Sequence, residues 1–271
     1  MDAAALVVVG RSSLLARELV ARHRDLVARV LGHAEALDEA AFAGARCLVN
    51  FAFAPALEAQ PYDRALDIDL QIAERAARHG VHYIMISSRR VYARENQWNA
   101  AETAPAPGMD AYGRNKARVE AALRELLGER LTVLRAGNVF AYEPVAQRRR
   151  FGAYLQSQLV AQGRIRLSVD AEARRDLVPV EFFCEVVRAA ALRRIAGVFN
   201  VGAGRATRVG DAARWLIEGY GRGELEVEVT QPGDEFQLDC TRLHETFGLA
   251  CGARAVERAW REIGRRLAQR D

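Results

Sequence analysis

An alternation constrains this chain most: short apolar runs rich in β-branched residues, each followed by a stretch with helical spacing of apolar positions. "ALVVVG" (5–10) leads into "LLARELVARH" (14–23), then come "DLVARVLG" (25–32) and "RCLVNFAFA" (46–54), with "DEAAFAGA" between them leaving room for one short helix. An Ala-rich helix over about 64–79, the strand "HYIMISS" (82–88), the Pro-containing loop "ETAPAPGMD", a helix over about 112–127 and the strand "LTVLRAG" (131–137) continue the pattern. Strands that are apolar at almost every position are covered on both faces, so the pattern predicts an α/β fold with a doubly wound parallel sheet.

Past residue 140 the alternation becomes irregular. "RIRLSV", "LVPV" and "GVFNVG" read as short strands; "EFFCEVVRAAALRR", "TRVGDAARWLIEGY" and the tail from 253 to 268 read as helices. The expected organisation is a dinucleotide-type domain over 1–140 plus parts of 176–205. A smaller C-terminal lobe over 141–175 and 206–271 would then cover the carboxyl ends of the strands, where open α/β sheets bind ligands.

The formal charge of +4 is spread over arginines interleaved with acids, a solvated surface inclined to anionic ligands. The one dense basic run, "QRRR" at 147–150, is short and lacks aromatics, so nucleic acid is not expected as a partner. The start "MDAAALVVVG" has no basic flank and is too short to span a membrane, so the expected location is cytoplasmic, with no membrane partner. Cys47, Cys184, Cys240 and Cys251 show no paired spacing; they read as free thiols, with no metal site.

In the first turn, "GRSSLLA", Gly10, Ser13 and Ala16 stand at the spacing of three glycines that would let a pyrophosphate approach the backbone and the start of a helix. Only one of them is glycine, but the other two are the smallest replacements. An acid at the end of the second strand would select NAD; here Gly32 and His33 stand at or near that position. Arg11, next to the turn, would meet a 2′-phosphate, which favours NADP over NAD.

Of 39 basic residues all but one are arginine, and the exception, Lys116, follows Tyr112 at i+4. That spacing sets both side chains on one helix face. A tyrosine titrates near pH 10 alone, and a compact ammonium beside it favours the phenolate while its rotatable donors can hold ribose hydroxyls. Arginine's rigid fork does neither as well.

"ISSRRVYA" followed by "YGRNK" resembles the Ser…Tyr-x-x-x-Lys triad of the extended short-chain dehydrogenase/reductase superfamily. "LVNFAFA" is similar to its VxHxAA strand, "LTVLRAGNVFA" to LRxxNVYG, "ARRDLVPVEF" to RRDFxxVxD, and "GVFNVGAGRATRV" to the YNxGxG turn, all in the family's order. The short spacing from the first turn to "LVNFAFA" looks most like the compact sugar-nucleotide branch that includes the dTDP-4-dehydrorhamnose reductases. Phe53, Phe182 and the pair Arg89 and Arg90 depart from the family pattern.

The resemblance implies a Rossmann domain in which Ser88, Tyr112 and Lys116 are catalytic. It sets Gly10, Arg11, Ser13, Leu14, Leu15 and Ala16 along the cofactor pyrophosphate, with Ala52 and Phe53 beside the adenosine half. Ser88, Arg89, Asn138 and Arg175 would contact a nucleotide-sugar. The implied activity is reduction of a keto group, on a 4-keto-6-deoxysugar, by NADP or NAD. A nucleotide-sugar epimerase or dehydratase using NAD is the alternative, and a non-catalytic dinucleotide-sensing protein is the reading from another class. A homodimer through the helices at about 64–79 and 112–127 is expected by analogy.

Overall fold

The computed structural model describes residues 6–143 and 150–270, without the side chain of Asn96; the first three residues of the "QRRR" run lie outside them. Six parallel strands form the central sheet: β1 (Leu6–Val9), β2 (Val27–Leu31), β3 (Cys47–Asn50), β4 (His82–Ser88), β5 (Leu131–Ala136) and β6 (Gly197–Val201). Their spatial order is β2-β1-β3-β4-β5-β6, so the sheet winds outward in both directions from β1 and β3. Every residue of β1, β3 and β5 is buried, whereas β2, on the edge, exposes Ala28 and Arg29.

Alternation along β1 divides the core. Leu6 and Val8 face α1 (Leu14–Arg22), α5 (Val180–Arg193) and α7 (Thr241–Phe247), while Val7 and Val9 face α2 (Ile68–Arg78) and α3 (Ala111–Leu127). A third apolar cluster gathers α4 (Phe151–Gln162), α6 (Val209–Tyr220) and α8 (Ala255–Ala268) around Trp260, which stacks on Phe140 at 4.3 Å.

The differences from the sequence reading have local causes. The short helix expected between β2 and β3 is two 3₁₀ turns, Glu35–Leu37 and Glu39–Phe42. The helix expected from 64 starts at Ile68, because Asp67 accepts the Leu70 N–H as its N-cap. "RCLVNFAFA" pairs as strand only over Cys47–Asn50 before turning into a 3₁₀ turn at Pro55. Two helices went unread: α4, whose buried surface includes Gln156 and Gln158 and so has no apolar stripe, and the seven-residue α7. Cys47 and Cys184 are buried and Cys240 and Cys251 half-buried, all free. Among the described residues no helix is long and apolar enough to cross a membrane.

His82, at the start of β4, is buried with Nε2 2.7 Å from the Thr132 hydroxyl. Burial, with Arg194 and Arg130 nearby, pushes its pKa down to about 4. The unfolded chain therefore takes up this proton from about pH 6.5 downward while the folded chain does not, so stability present above that pH falls as the pH drops toward 4. We expect a loss of about 2–3 kcal/mol over that interval, read by urea unfolding at stepped pH, and a shallower slope in His82→Asn.

Candidate active site

The carboxyl ends of the strands build the site. After β1 the chain turns at Gly10, whose φ of +102° suits glycine, and a Cβ there would lie 3.2 Å from the Cβ of Phe51. The Gly10 and Arg11 N–H groups donate to the Leu31 carbonyl, tying the turn to the end of β2. Ser13 precedes α1, so the N–H groups of Leu14, Leu15 and Ala16 open the helix with no carbonyl of that helix to bond. This backbone cradle fits a pyrophosphate.

Arg11 is engaged at the tip of β2. Its guanidinium donates to both Glu35 oxygens, at 3.0 and 2.7 Å, and to the Val30 carbonyl. Glu35 also accepts the Gly32 N–H at 2.6 Å, and that bond, then Arg11, holds its carboxyl below the usual range. An acid therefore does stand at the tip of β2, three residues beyond Gly32, where the sequence reading looked only at Gly32 and His33.

At the end of β4 the two serines part. Ser87 is buried and donates to Glu120, which is paired with Arg135 at 2.7 Å. Ser88 is half-buried at the cavity and its Oγ accepts the Arg90 N–H at 3.2 Å. The turn after it (Arg89–Val91) is pressed against the first turn of α3: a Cβ on Gly113 would fall 1.9 Å from the Arg90 carbonyl oxygen. Asp110 caps α3 through the Gly113 N–H and pairs with the Arg90 guanidinium. Tyr112 thereby lines the same cavity as Ser88, with Arg90 5.1 Å from its ring centre.

Lys116, one turn on, is buried. Its Nζ donates to the Ile86 carbonyl at 3.0 Å, lies 3.4 Å from the Asp69 carboxylate and stands 4.3 Å from the centre of the Phe53 ring. Burial by itself would lower its pKa, but Asp69 and then Tyr112 outweigh burial and hold it above the ordinary lysine value. The resemblance sets Phe53 beside the adenosine half; its ring instead lies edge-on to Tyr112 at 5.1 Å and over Lys116. Asn115 explains this, since its amide donates to the carbonyls of Leu57 and Gln60 and draws the loop after β3 toward α3. Ala52 is buried beside the Gly10 turn, its N–H donating to Asn50. Asp69 escaped the sequence reading, although it occupies a position of the stripe Asp69, Ile72, Ala73 and Ala76 where an apolar residue belongs.

A cavity of about 550 Å³ opens in front of Ser88 and Tyr112 and reaches Leu15, Asn138, Arg150 and Arg175. Arg175 donates to the Asp234 carbonyl at 3.1 Å and lies over the Phe151 ring at 4.8 Å. Arg89 forms the wall: it is buried, bonded to Asp234 and Gln97, and stacked 3.6 Å from the Phe236 ring centre. Burial lowers the pKa of both guanidiniums from the ordinary arginine value. Phe182 packs against the sheet core instead of taking the polar role an acid would have.

With this geometry in hand, comparison with known proteins places the chain. Residues 57–235 match the RmlD substrate binding domain family. The chain belongs to this family. No curated protein matches it. Among solved structures it is similar to a UDP-N-acetylglucosamine 4-epimerase from Methanobrevibacter ruminantium M1 in complex with UDP-N-acetylmuramic acid, at 16% identity over 100% of both chains and a TM-score of 0.84. It is also similar to RMD from Pseudomonas aeruginosa complexed with NADPH (18%, 98% of this chain and 99% of that one, 0.76). A third, TunA, is an NAD-dependent NDP-hexosamine 5,6-dehydratase (17%, 98% of each, 0.77). The shared fold is that of the extended short-chain dehydrogenases.

Because Gly113 has no room for a methyl, Gly113→Ala is expected to lower stability by about 1–3 kcal/mol and lift α3 from the turn after β4. Denaturant unfolding checks this; an unchanged midpoint would contradict the contact.

Proposed function

We propose that this protein is an NAD(P)-dependent oxidoreductase acting on nucleotide-activated sugars, reducing a keto group with Tyr112 as proton donor, the resemblance favouring a 4-keto-6-deoxysugar. One observation carries the reading: Tyr112, one turn before the buried Lys116 on α3, lines an arginine-lined cavity together with Ser88. The solved structures of similar fold, an epimerase, a dehydratase and a protein complexed with NADPH, support the coarser statement of a dinucleotide-dependent sugar-nucleotide enzyme.

When bound, the nicotinamide cofactor supplies the hydride. Gly10, Ser13 and the open N–H groups of Leu14, Leu15 and Ala16 hold its pyrophosphate. Asn138 and Arg175 bind the substrate diphosphate, with Arg89 as the wall behind them. Ser88 donates to the carbonyl oxygen and fixes it near Tyr112, which delivers its proton as negative charge develops there. Positioning of this kind, together with a general acid worth about 10²–10⁴-fold, is the contribution of the chain itself. The reading includes a homodimer through α2 and α3, which light scattering tests.

Epimerisation with retained NAD is the second reading, and Glu35 favours it, because a carboxylate at the tip of β2 suits a free ribose 2′-hydroxyl. Dehydration is less well supported, since Asp110 is committed to the α3 cap and to Arg90.

Fluorescence titration with NADPH and NADH, after checking the absorbance for retained nucleotide, tests the cofactor. The Arg11–Glu35 pair is exposed and screened by water, so a 2′-phosphate can displace the carboxylate, and Glu35→Gln is expected to raise the NADPH over NADH affinity ratio several-fold. Tyr112→Phe is expected to keep cofactor binding and lose about 10²-fold or more in turnover of a keto-sugar nucleotide. Full-rate turnover by that variant would remove Tyr112 from the mechanism.

A further inference from the structure

Lys116 is the only lysine in the chain, and its charge is matched inside the protein. Its side chain is 4% exposed and that of Asp69 1%, with Nζ and Oδ2 3.4 Å apart. The other carboxylate oxygen of Asp69 accepts from the Asn50 amide at 2.7 Å and the Tyr83 hydroxyl at 2.9 Å. The carboxylate is thus anchored by β3 and β4 on the sheet side and turned toward the lysine on the α3 side. In so dry a place charge interactions reach further than in water, and an isolated ammonium one turn from Tyr112 would pull that tyrosine toward its phenolate.

We propose that Asp69 is a positioning residue of the catalytic centre: it fixes Lys116 against the sheet and offsets its charge, so that Tyr112 is kept protonated and ready to donate. This rests on the reading of Tyr112 as the acid. A reductive proton donor is useful only while it carries its proton, and the lysine–carboxylate pair acts on the tyrosine as a dipole where a bare cation would act as a full charge. The other charged and titratable groups near the pair are arranged so as not to cancel this. Asp67 is occupied by the Leu70 N–H and the Tyr62 hydroxyl, and Arg118 stands over the Tyr62 ring. On the far side of Tyr112, Arg90 is matched by Asp110. Phe53 lies against both Tyr112 and Lys116 and brings no charge.

The test needs neither cofactor nor substrate. The ionisation of Tyr112 is read as the tyrosinate absorbance difference between each protein and its Tyr112→Phe counterpart across alkaline pH. Asp69→Asn is expected to move the Tyr112 midpoint down by about one pH unit, and Lys116→Met to move it up. Tyr83→Phe removes a bond to the same carboxylate without removing its charge, so it is expected to lower the melting temperature and leave the midpoint in place. A midpoint unmoved in Asp69→Asn, or moved equally in Tyr83→Phe, overturns the proposal. Should Asp69→Asn fail to fold with its lysine unpaired, Lys116→Met alone is compared with Lys116→Met carrying Asp69→Asn. The double variant should titrate lower, and equal midpoints overturn the proposal. A shifted midpoint with no turnover of any keto-sugar nucleotide would leave the electrostatic arrangement standing and refute the functional reading instead.

Discussion

The seating of α3 on the sheet is the interaction on which the site depends. Its inward face carries Gly113, Asn115, Lys116 and Glu120, a polar row where a helix packed on a sheet would ordinarily present apolar residues. Each meets a fixed partner: Gly113 the Arg90 carbonyl, Asn115 the carbonyls of Leu57 and Gln60, Lys116 the Ile86 carbonyl, and Glu120 both Ser87 and Arg135. Apolar packing tolerates a helix sliding by a fraction of a turn; six hydrogen-bonded or close-packed partners on β4, β5 and the segments after β3 and β4 do not. Tyr112 inherits its position from that registration.

Charge around the cavity follows a similar rule. The guanidiniums that follow Ser88 are matched by carboxylates, Arg89 by Asp234 and Arg90 by Asp110, whereas among the described residues Arg175 donates to the Asp234 carbonyl. Burial holds the pKa of Arg175 below the ordinary arginine value, and the Asp234 carboxylate works against that.

The central sheet was legible in the sequence because its strands are apolar at nearly every position, a signal that survives without knowledge of their neighbours. The lines from Gly10 to Ala16 and from Tyr112 to Lys116 were legible because one helix or one turn carries each whole motif. Glu35 and Asp69 were not, for different reasons. Glu35 reaches Gly32 only because the chain after β2 folds into a 3₁₀ turn, which shortens a sequence separation that looks too long. Asp69 was hidden in an Ala-rich helix whose apolar stripe it interrupts, and its partners come from β3, β4 and α3, distant in sequence. The half after residue 140 was read least well because its strands outside the central sheet are two to four residues long, and α4 is covered on several sides.

The burial of Lys116 also fixes how the exterior of the molecule behaves. With the single ε-amine enclosed, every side-chain cation on the surface other than histidine is a guanidinium, which keeps its proton at any pH the fold survives and meets its partners through a rigid, planar fork. The positive part of the outer charge pattern is therefore insensitive to alkali, and to reagents that acylate side-chain amines. Chemistry directed at a lysine side chain has one target in this protein, and that target is enclosed.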